Sequence, residues 1–320
     1  EEAYQLKDQM ISKPKRNQNR LTNEREFPLP ENTIFKNEPD TNFDLRQNRE
    51  WADEIRKSWM KSKDDKPYII PVQIGDKEVE TENRQVYTDH CQVDDIVVCE
   101  VSLSNQEMVE QIVELAETDA SNWRTTSVEQ RNVFLHKTAD ILNENRGNLI
   151  GCMSAITGKT FAEGDVELSE AVDFCRYYPI SMMEFTKLET VKMTPKGIVL
   201  VIPPWNFPLA IPVGGVAAAL AGGNTVILKP ATVAFPVAWE FAKCFWEAGV
   251  PKDALQVVCT DGRAPLSYIT THPAITHTIL TGGTDTAFRL LESNPVCPLS
   301  AETGGKNAII VSAAGDRDHA

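Results

Sequence analysis

From Pro195 onward this 320-residue chain alternates short apolar runs with helix-length segments, and that alternation restricts the fold more than any other feature. The runs are GIVLVI (197–202), TVILKP (225–230), LQVVCT (255–260), THTIL (276–280) and NAIIVSAA (307–314). Brief segments that are apolar on successive residues suit strands covered on both faces. Between them VAAALAG, VAFPVAWEFAKCFWEAG and TDTAFRLLES read as helices, the second with a Gly stop. Strand–helix–strand units call for right-handed crossovers and a parallel sheet. In such a sheet the loops beyond the C-terminal strand ends carry the ligand.

The first half differs. Residues 1–66 are polar; PLPENTIFKNEPDTNFDL reads as extended linker, followed by a helix over 47–61. YIIPVQIG and DDIVVCEVSL are strand candidates, and from Ser104 a helix-rich stretch begins. Its first helix, SNQEMVEQIVELAE, is capped by Ser104 or Asn105; TSVEQRNVFLHKTADILNENR and residues 163–186 continue it. The expected organisation is a leader (1–66), a helix-rich part (67–194) and an incomplete α/β cofactor domain (195–320). A first residue that is Glu rather than Met, and a last segment SAAGDRDHA without a helix end, read as cuts in a longer protein.

A net charge of −14 argues against nucleic acid, which needs clustered Lys and Arg; the short basic stretch KPKRNQNR (13–20) reads as solvated linker. No membrane span is expected, because the longest apolar stretch, 209–223, is too short and too Gly-rich. Seven cysteines without CxxC spacing indicate reduced thiols and a cytoplasmic setting. Five scattered histidines without an HxxxH pair give no reason to expect a metal.

Several residues at the strand ends are suited to chemistry. Asn206, in PPWNFP (203–208), either closes its own turn or offers a fixed amide N–H to an oxyanion. Lys229, followed by Pro230, is either a surface lysine or a partner for a ribose hydroxyl or phosphate. Adjacent glycines in TGGTDTA (281–287) permit close approach of a pyrophosphate to a helix N-terminus, and Gly262 is a weaker candidate of the same kind. The G-x-G-x-x-G fingerprint is absent, so a standard Rossmann reading is not supported. Glu302, in SAETGGKN, is either a structural carboxylate or a general base. Cys297 precedes Glu302 between prolines and is a poor nucleophile candidate.

Taken in order, PPWNFP, GNTVILKPA, TGGTDTA and AETGGKN resemble the NAD(P)-dependent aldehyde dehydrogenase superfamily over about residues 70–320. The wording PWNFPLAIPVGGVAAALAGGNTVILKPA, LTGGTDTAF and AETGGKNAIIV is most similar to the branch that oxidises L-glutamate γ-semialdehyde, in the form found in bifunctional proline-utilisation proteins. The leader FKNEPDTNFDLRQNREWADEI is similar to the segment that follows their proline dehydrogenase domain.

The resemblance implies an aldehyde dehydrogenase-like α/β fold, NAD as cofactor, a small aldehyde substrate, a homo-oligomer when intact and a possible upstream flavin-dependent proline dehydrogenase. It implies Asn206 as oxyanion donor and Glu302 as general base. Pro204 and Trp205 would line the cofactor slot, Lys229 would lie on the adenosine ribose with Pro230 and Ala231 beside it, and Gly282, Gly283 and Thr284 would face the pyrophosphate, with Thr303 near the nicotinamide. The family's nucleophilic cysteine lies roughly three dozen residues beyond the glutamate in a G-Q-x-C-like segment, whereas 18 residues follow Glu302 here. The C-terminal catalytic domain is therefore expected to be missing and the 320 residues alone to turn nothing over. Thr232 stands where many relatives carry a ribose-binding glutamate, which leaves NADP open beside NAD. The alternatives are an aldehyde dehydrogenase for another substrate and a non-catalytic cofactor-binding fragment.

Overall fold

Five parallel strands form the central sheet of this computed structural model, which describes residues 35–92, 95–260, 262–296, 298–312 and 315. The basic stretch 13–20 and Cys297 lie outside the described residues.

Helix α1 (Arg46–Trp59) opens the described part, close to the 47–61 expected from sequence. Strands β1 (Tyr68–Ile70), β2 (Val72–Ile74), β3 (Lys77–Val79), β4 (Arg84–Thr88) and β5 (Val97–Ser102) follow. YIIPVQIG is thus two strands rather than one: Pro71 has no N–H to continue a ladder, and the chain changes sheet there. β1, β5 and β4 form one sheet and β2 and β3 a hairpin.

Then come helices α2 (Gln106–Thr118), α3 (Val128–Glu144), α4 (Arg146–Thr157) and α5 (Phe161–Phe185). Asn105 is the cap of α2, accepting from the Met108 N–H at 3.0 Å. The α/β part runs β6 (Ile198–Ile202), α6 (Ala210–Ala221), β7 (Thr225–Leu228), α7 (Phe235–Ala248), β8 (Leu255–Val257), α8 (Arg263–Thr271), β9 (Ile275–Gly282), α9 (Thr284–Ser293) and β10 (Leu299–Thr303). The strand order is β10-β9-β6-β7-β8, every neighbouring pair parallel.

The unbroken apolar character of β6 and β7 has a direct cause. Val199, Val201, Val226 and Leu228 point into a core shared with α6 and α7, where Val213, Val216 and Phe241 are fully buried. Ile198, Leu200 and Ile227 point to the opposite face and meet Val109, Ile112 and Val113 of α2 and Ile269 of α8. Alternate residues of one strand therefore serve two cores, each side chain contributing about 1.5–3 kcal/mol on burial.

One sequence expectation is corrected. The last strand is LSAET (299–303), paired with β9 through Ala301–Leu280 and Glu302–Thr281, whereas residues 304–312 belong to no strand or helix. The stretch NAIIVSAA is the more apolar, but among the described residues no strand lies beside it, and pairing rather than propensity defines a strand.

The described end of the leader, from residue 35, is part of the packed body. Thr41 donates through its backbone N–H (2.5 Å) and hydroxyl (2.6 Å) to the buried Asp165 carboxylate, which also pairs with Arg146 at 2.7 Å. Glu38 pairs with Arg176 at 2.6 Å, and Asn37 donates to Asp173. Beyond this strap α1 rests on α4, with Ile55 and Trp59 seated where Gly147 and Gly151 carry no Cβ.

Candidate active site

A cavity of about 890 Å³ opens beyond the C-terminal ends of β6, β7, β9 and β10. From β6 the chain winds outward through β7 to β8, then crosses to β9 on the other side of β6. Loops leaving β6 and β9 consequently diverge, and the crevice forms where the strand order reverses.

Pro203–Phe207, directly after β6, make one wall. Trp205 is 59% exposed and Asn206 is also exposed. The Asn206 carboxamide makes no hydrogen bond to the described residues, so it does not close its own turn; only its backbone carbonyl is engaged, by the Lys159 ammonium at 2.9 Å. Lys159 also lies over the Phe207 ring, 4.2 Å from its centroid, and pairs with the Glu167 carboxylate. Glu167 in turn accepts the backbone N–H groups of Leu209 (2.7 Å) and Ala210 (3.1 Å) at the start of α6. Helix α6 can lie this close because a Cβ on Gly215 would stand 2.8 Å from Val201, and one on Gly214 2.9 Å from Phe174.

Lys229 and Ala231 line the wall beyond β7; Pro230 between them is buried and does not. Burial lowers the Lys229 pKa, and among the described residues no carboxylate pairs with it. Gly262 caps α8 with φ +82° and does not reach the cavity.

The third wall comes from β9 and β10. Gly282 and Gly283 line it, and Gly283 is the N-cap of α9, which starts without a side-chain cap. Thr284, the first residue of α9, is not in the lining, whereas Thr286, which the sequence did not single out, is. Glu302 and Thr303 are exposed at the end of β10. The Glu302 charge is felt by Tyr178, whose hydroxyl is raised in pKa by burial first and then by Tyr177 and Glu302.

The structure therefore gathers Pro204, Trp205, Asn206, Lys229, Ala231, Gly282, Gly283, Glu302 and Thr303 around one cavity and leaves Pro230, Gly262 and Thr284 outside its lining. Lys159 and Glu167 were missed, since each acts from the helical part on a segment more than forty residues away in sequence. The only local signal was a glutamate among the apolar positions of α5.

No cysteine of the described residues lines the cavity. Burial pushes Cys99 and Cys244 up to about 12 and Cys259 up to about 11, the last against a lowering by Lys229. Such thiols stay protonated and inert at neutral pH. The described residues contain no group of His, Cys, Asp and Glu able to hold a metal ion, and no helix long and apolar enough to cross a membrane.

The crevice lies at the switch point of a doubly wound sheet and carries an amide, an amine and a carboxylate on its walls, and the chain belongs to the aldehyde dehydrogenase family, whose profile matches residues 79–320. Within that family it is 30% identical to 1-pyrroline-5-carboxylate dehydrogenase of Bacillus licheniformis over 301 residues, covering 87% of this chain and 57% of the relative. It shares 30% identity and a TM-score of 0.78 with proline utilization A (PutA) from Bdellovibrio bacteriovorus, over 85% of this chain and 30% of that one. With 1-pyrroline-5-carboxylate dehydrogenase from Thermus with bound NAD it shares 27% identity and a TM-score of 0.77, over 85% of this chain and 56% of that one. The chain spans a little over half the length of the curated relatives it matches.

Proposed function

We propose that this chain is the cofactor-binding part of an NAD-dependent dehydrogenase that oxidises L-glutamate γ-semialdehyde to L-glutamate. The observation that carries the reading is the Asn206 carboxamide, without a hydrogen bond to the described residues and on an anchored backbone, sharing one cavity with Lys229 and Glu302. The relatives named 1-pyrroline-5-carboxylate dehydrogenase support the substrate, and the likeness to proline utilization A supports a proline dehydrogenase domain in the same polypeptide. Buried, protonated thiols suit a cytoplasmic protein.

The residues fit a dinucleotide. Lys229 is a cation without a carboxylate partner among the described residues, suited to a ribose hydroxyl or phosphate, and the uncapped start of α9 after Gly283 presents N–H groups to a pyrophosphate. When bound, NAD accepts the hydride from the substrate. Trp205 and Pro204 wall the slot, and Thr303 borders it beside Glu302.

In this mechanism a cysteine thiolate from the remainder of the enzyme adds to the aldehyde carbon, and the carbonyl oxygen becomes an oxyanion. The Asn206 side-chain N–H donates to that oxygen, stabilising charge where it develops. After oxidation Glu302 takes a proton from water, which attacks the thioester and releases the carboxylic acid and the thiol.

The test is turnover by the full-length protein. NADH formation should be faster with glutamate semialdehyde than with simple aliphatic aldehydes, and Glu302→Gln should lower kcat by about 10²–10⁴-fold, the range for general acid–base catalysis. Faster turnover of an aliphatic aldehyde would overturn the substrate, and absence of any NADH the enzymatic reading.

A further inference from the structure

We propose that Lys159 and Glu167 are positioning residues, a nearly buried ion pair that sets the direction of the Asn206 carboxamide. The proposal rests on the reading of Asn206 as oxyanion donor and adds two residues to that function.

The pair is itself held firmly. Lys159 occupies the middle of a three-residue corner, 158–160, between α4 and α5. On one side Gly158 ends α4 with φ +68°, its N–H bonded to the Ser154 carbonyl at 3.0 Å. On the other, Thr160 and Glu163 close a reciprocal capping box that starts α5. The backbone on either side of Lys159 thus has little freedom, and its side chain is only 11% exposed. Glu167, two turns along α5, is 1% exposed.

From those fixed points the pair grips the active-site turn at both ends. The Lys159 ammonium holds the Asn206 carbonyl and the face of Phe207; the Glu167 carboxylate holds the N–H groups of Leu209 and Ala210. Leu209 has no side chain able to cap α6, so Glu167 supplies the acceptor from another helix, and its charge suits that helix end. Neither residue lines the cavity. Stability alone does not account for the arrangement, because a desolvated ion pair roughly breaks even against apolar side chains. What it provides is a backbone that cannot drift beneath a donor required within about 2.7–3.1 Å of the oxyanion. A misplacement of about 1 Å is enough to lose on the order of 10²-fold in rate.

The experiment combines kinetics of the full-length enzyme with NMR of this chain, in which the Asn206 side-chain amide resonance is assigned by its loss in Asn206→Ala. Lys159→Met should lower kcat by about 10–100-fold, leave the KM for NAD within about twofold, and shift the Asn206 resonance. Lys159→Arg, which keeps the charge and a donor, should recover most of the loss. The double variant Lys159→Met/Glu167→Gln leaves no unpaired charge, so a folding defect is not mistaken for the effect; it should show the same kcat loss and the same shift. Wild-type kcat and an unmoved resonance in the double variant would overturn the proposal. If Asn206→Ala loses about 10²-fold or more while Lys159→Met loses nothing, only the positioning role falls. If Asn206→Ala turns over normally, the functional reading falls and this proposal with it.

Discussion

Gly151→Ala should destabilise the chain while Trp59 is present and stabilise it once Trp59 is removed. A Cβ at position 151 would stand 2.2 Å from Trp59 Cδ1, 2.5 Å from Nε1 and 2.9 Å from Cγ. These are atoms of the five-membered ring rather than the tip of a flexible chain, so the indole must withdraw from 2.2 Å to at least 3.4 Å to reach ordinary contact, and α1 must lift with it. Overpacking of this kind costs about 1–3 kcal/mol. Against it stands a helix-propensity gain of about 1 kcal/mol for replacing an interior glycine. The net expectation is a loss of up to about 2 kcal/mol in the wild-type background and a gain of up to about 1 kcal/mol in Trp59→Ala, a coupling of about 1–3 kcal/mol. Urea unfolding of the four chains of that cycle, with the denaturant slope checked for constancy, measures it. Equal changes in both backgrounds would refute the reasoning and mean that α1 does not dock on α4 in solution. Gly147→Ala should cost less, because the closest atom there is the Ile55 Cδ1 methyl at 2.7 Å, which can rotate away.

Asp165→Ala should cost about 3–5 kcal/mol in urea unfolding, since it leaves Arg146 without its closest carboxylate and frees Thr41 of the strap. Lys229→Met should raise the unfolding midpoint, because burial disfavours the ammonium, yet weaken NAD binding at least tenfold by isothermal titration. Unchanged NAD affinity would exclude Lys229 from the cofactor site. Burial, reinforced by Arg176, holds the His136 imidazole below its ordinary pKa. On acidification the unfolded chain therefore takes up that proton first, so stability should fall as pH drops below about 6.5 and level off below the folded-state value. His136→Gln should flatten that part of the profile in thermal melts at stepped pH. Trp205, exposed on the cavity wall, should have its fluorescence quenched by NAD, and Trp205→Phe should remove that part of the quenching.

Much of the site was legible because the sheet aligns it. Residues that follow buried strands in sequence gather at one edge, which is why Asn206, Lys229 and Gly282 meet although no local pattern joins them. Gly262 also follows a strand, but β8 is the edge strand and its loop stands away from the crevice. The misread last strand has a similar origin: NAIIV is the better strand by composition, but LSAET is the segment that meets β9. Strand β4 went unseen because RQVYT exposes Gln85 and Val86 and so lacks a clear apolar alternation. Lys159 and Glu167 were out of reach for another reason, since their partners lie on a different element and composition carries no trace of a tertiary ion pair. The docking of α1 did leave a trace in Gly147 and Gly151, one helical turn apart within α4.

The packing of α2 against the central sheet bears on how the chain is made. Its apolar face of Val109, Ile112, Val113 and Ala116 leaves the ribosome well before Ile198, Leu200 and Ile227, the residues that cover it. During synthesis that stripe waits in solvent through the whole of α3, α4 and α5, a window in which nascent chains are prone to associate. The sheet has the reciprocal need: a shortened gene beginning at Pro195 would yield strands whose second face lacks the helix that shields it, and such a product should precipitate rather than bind nucleotide.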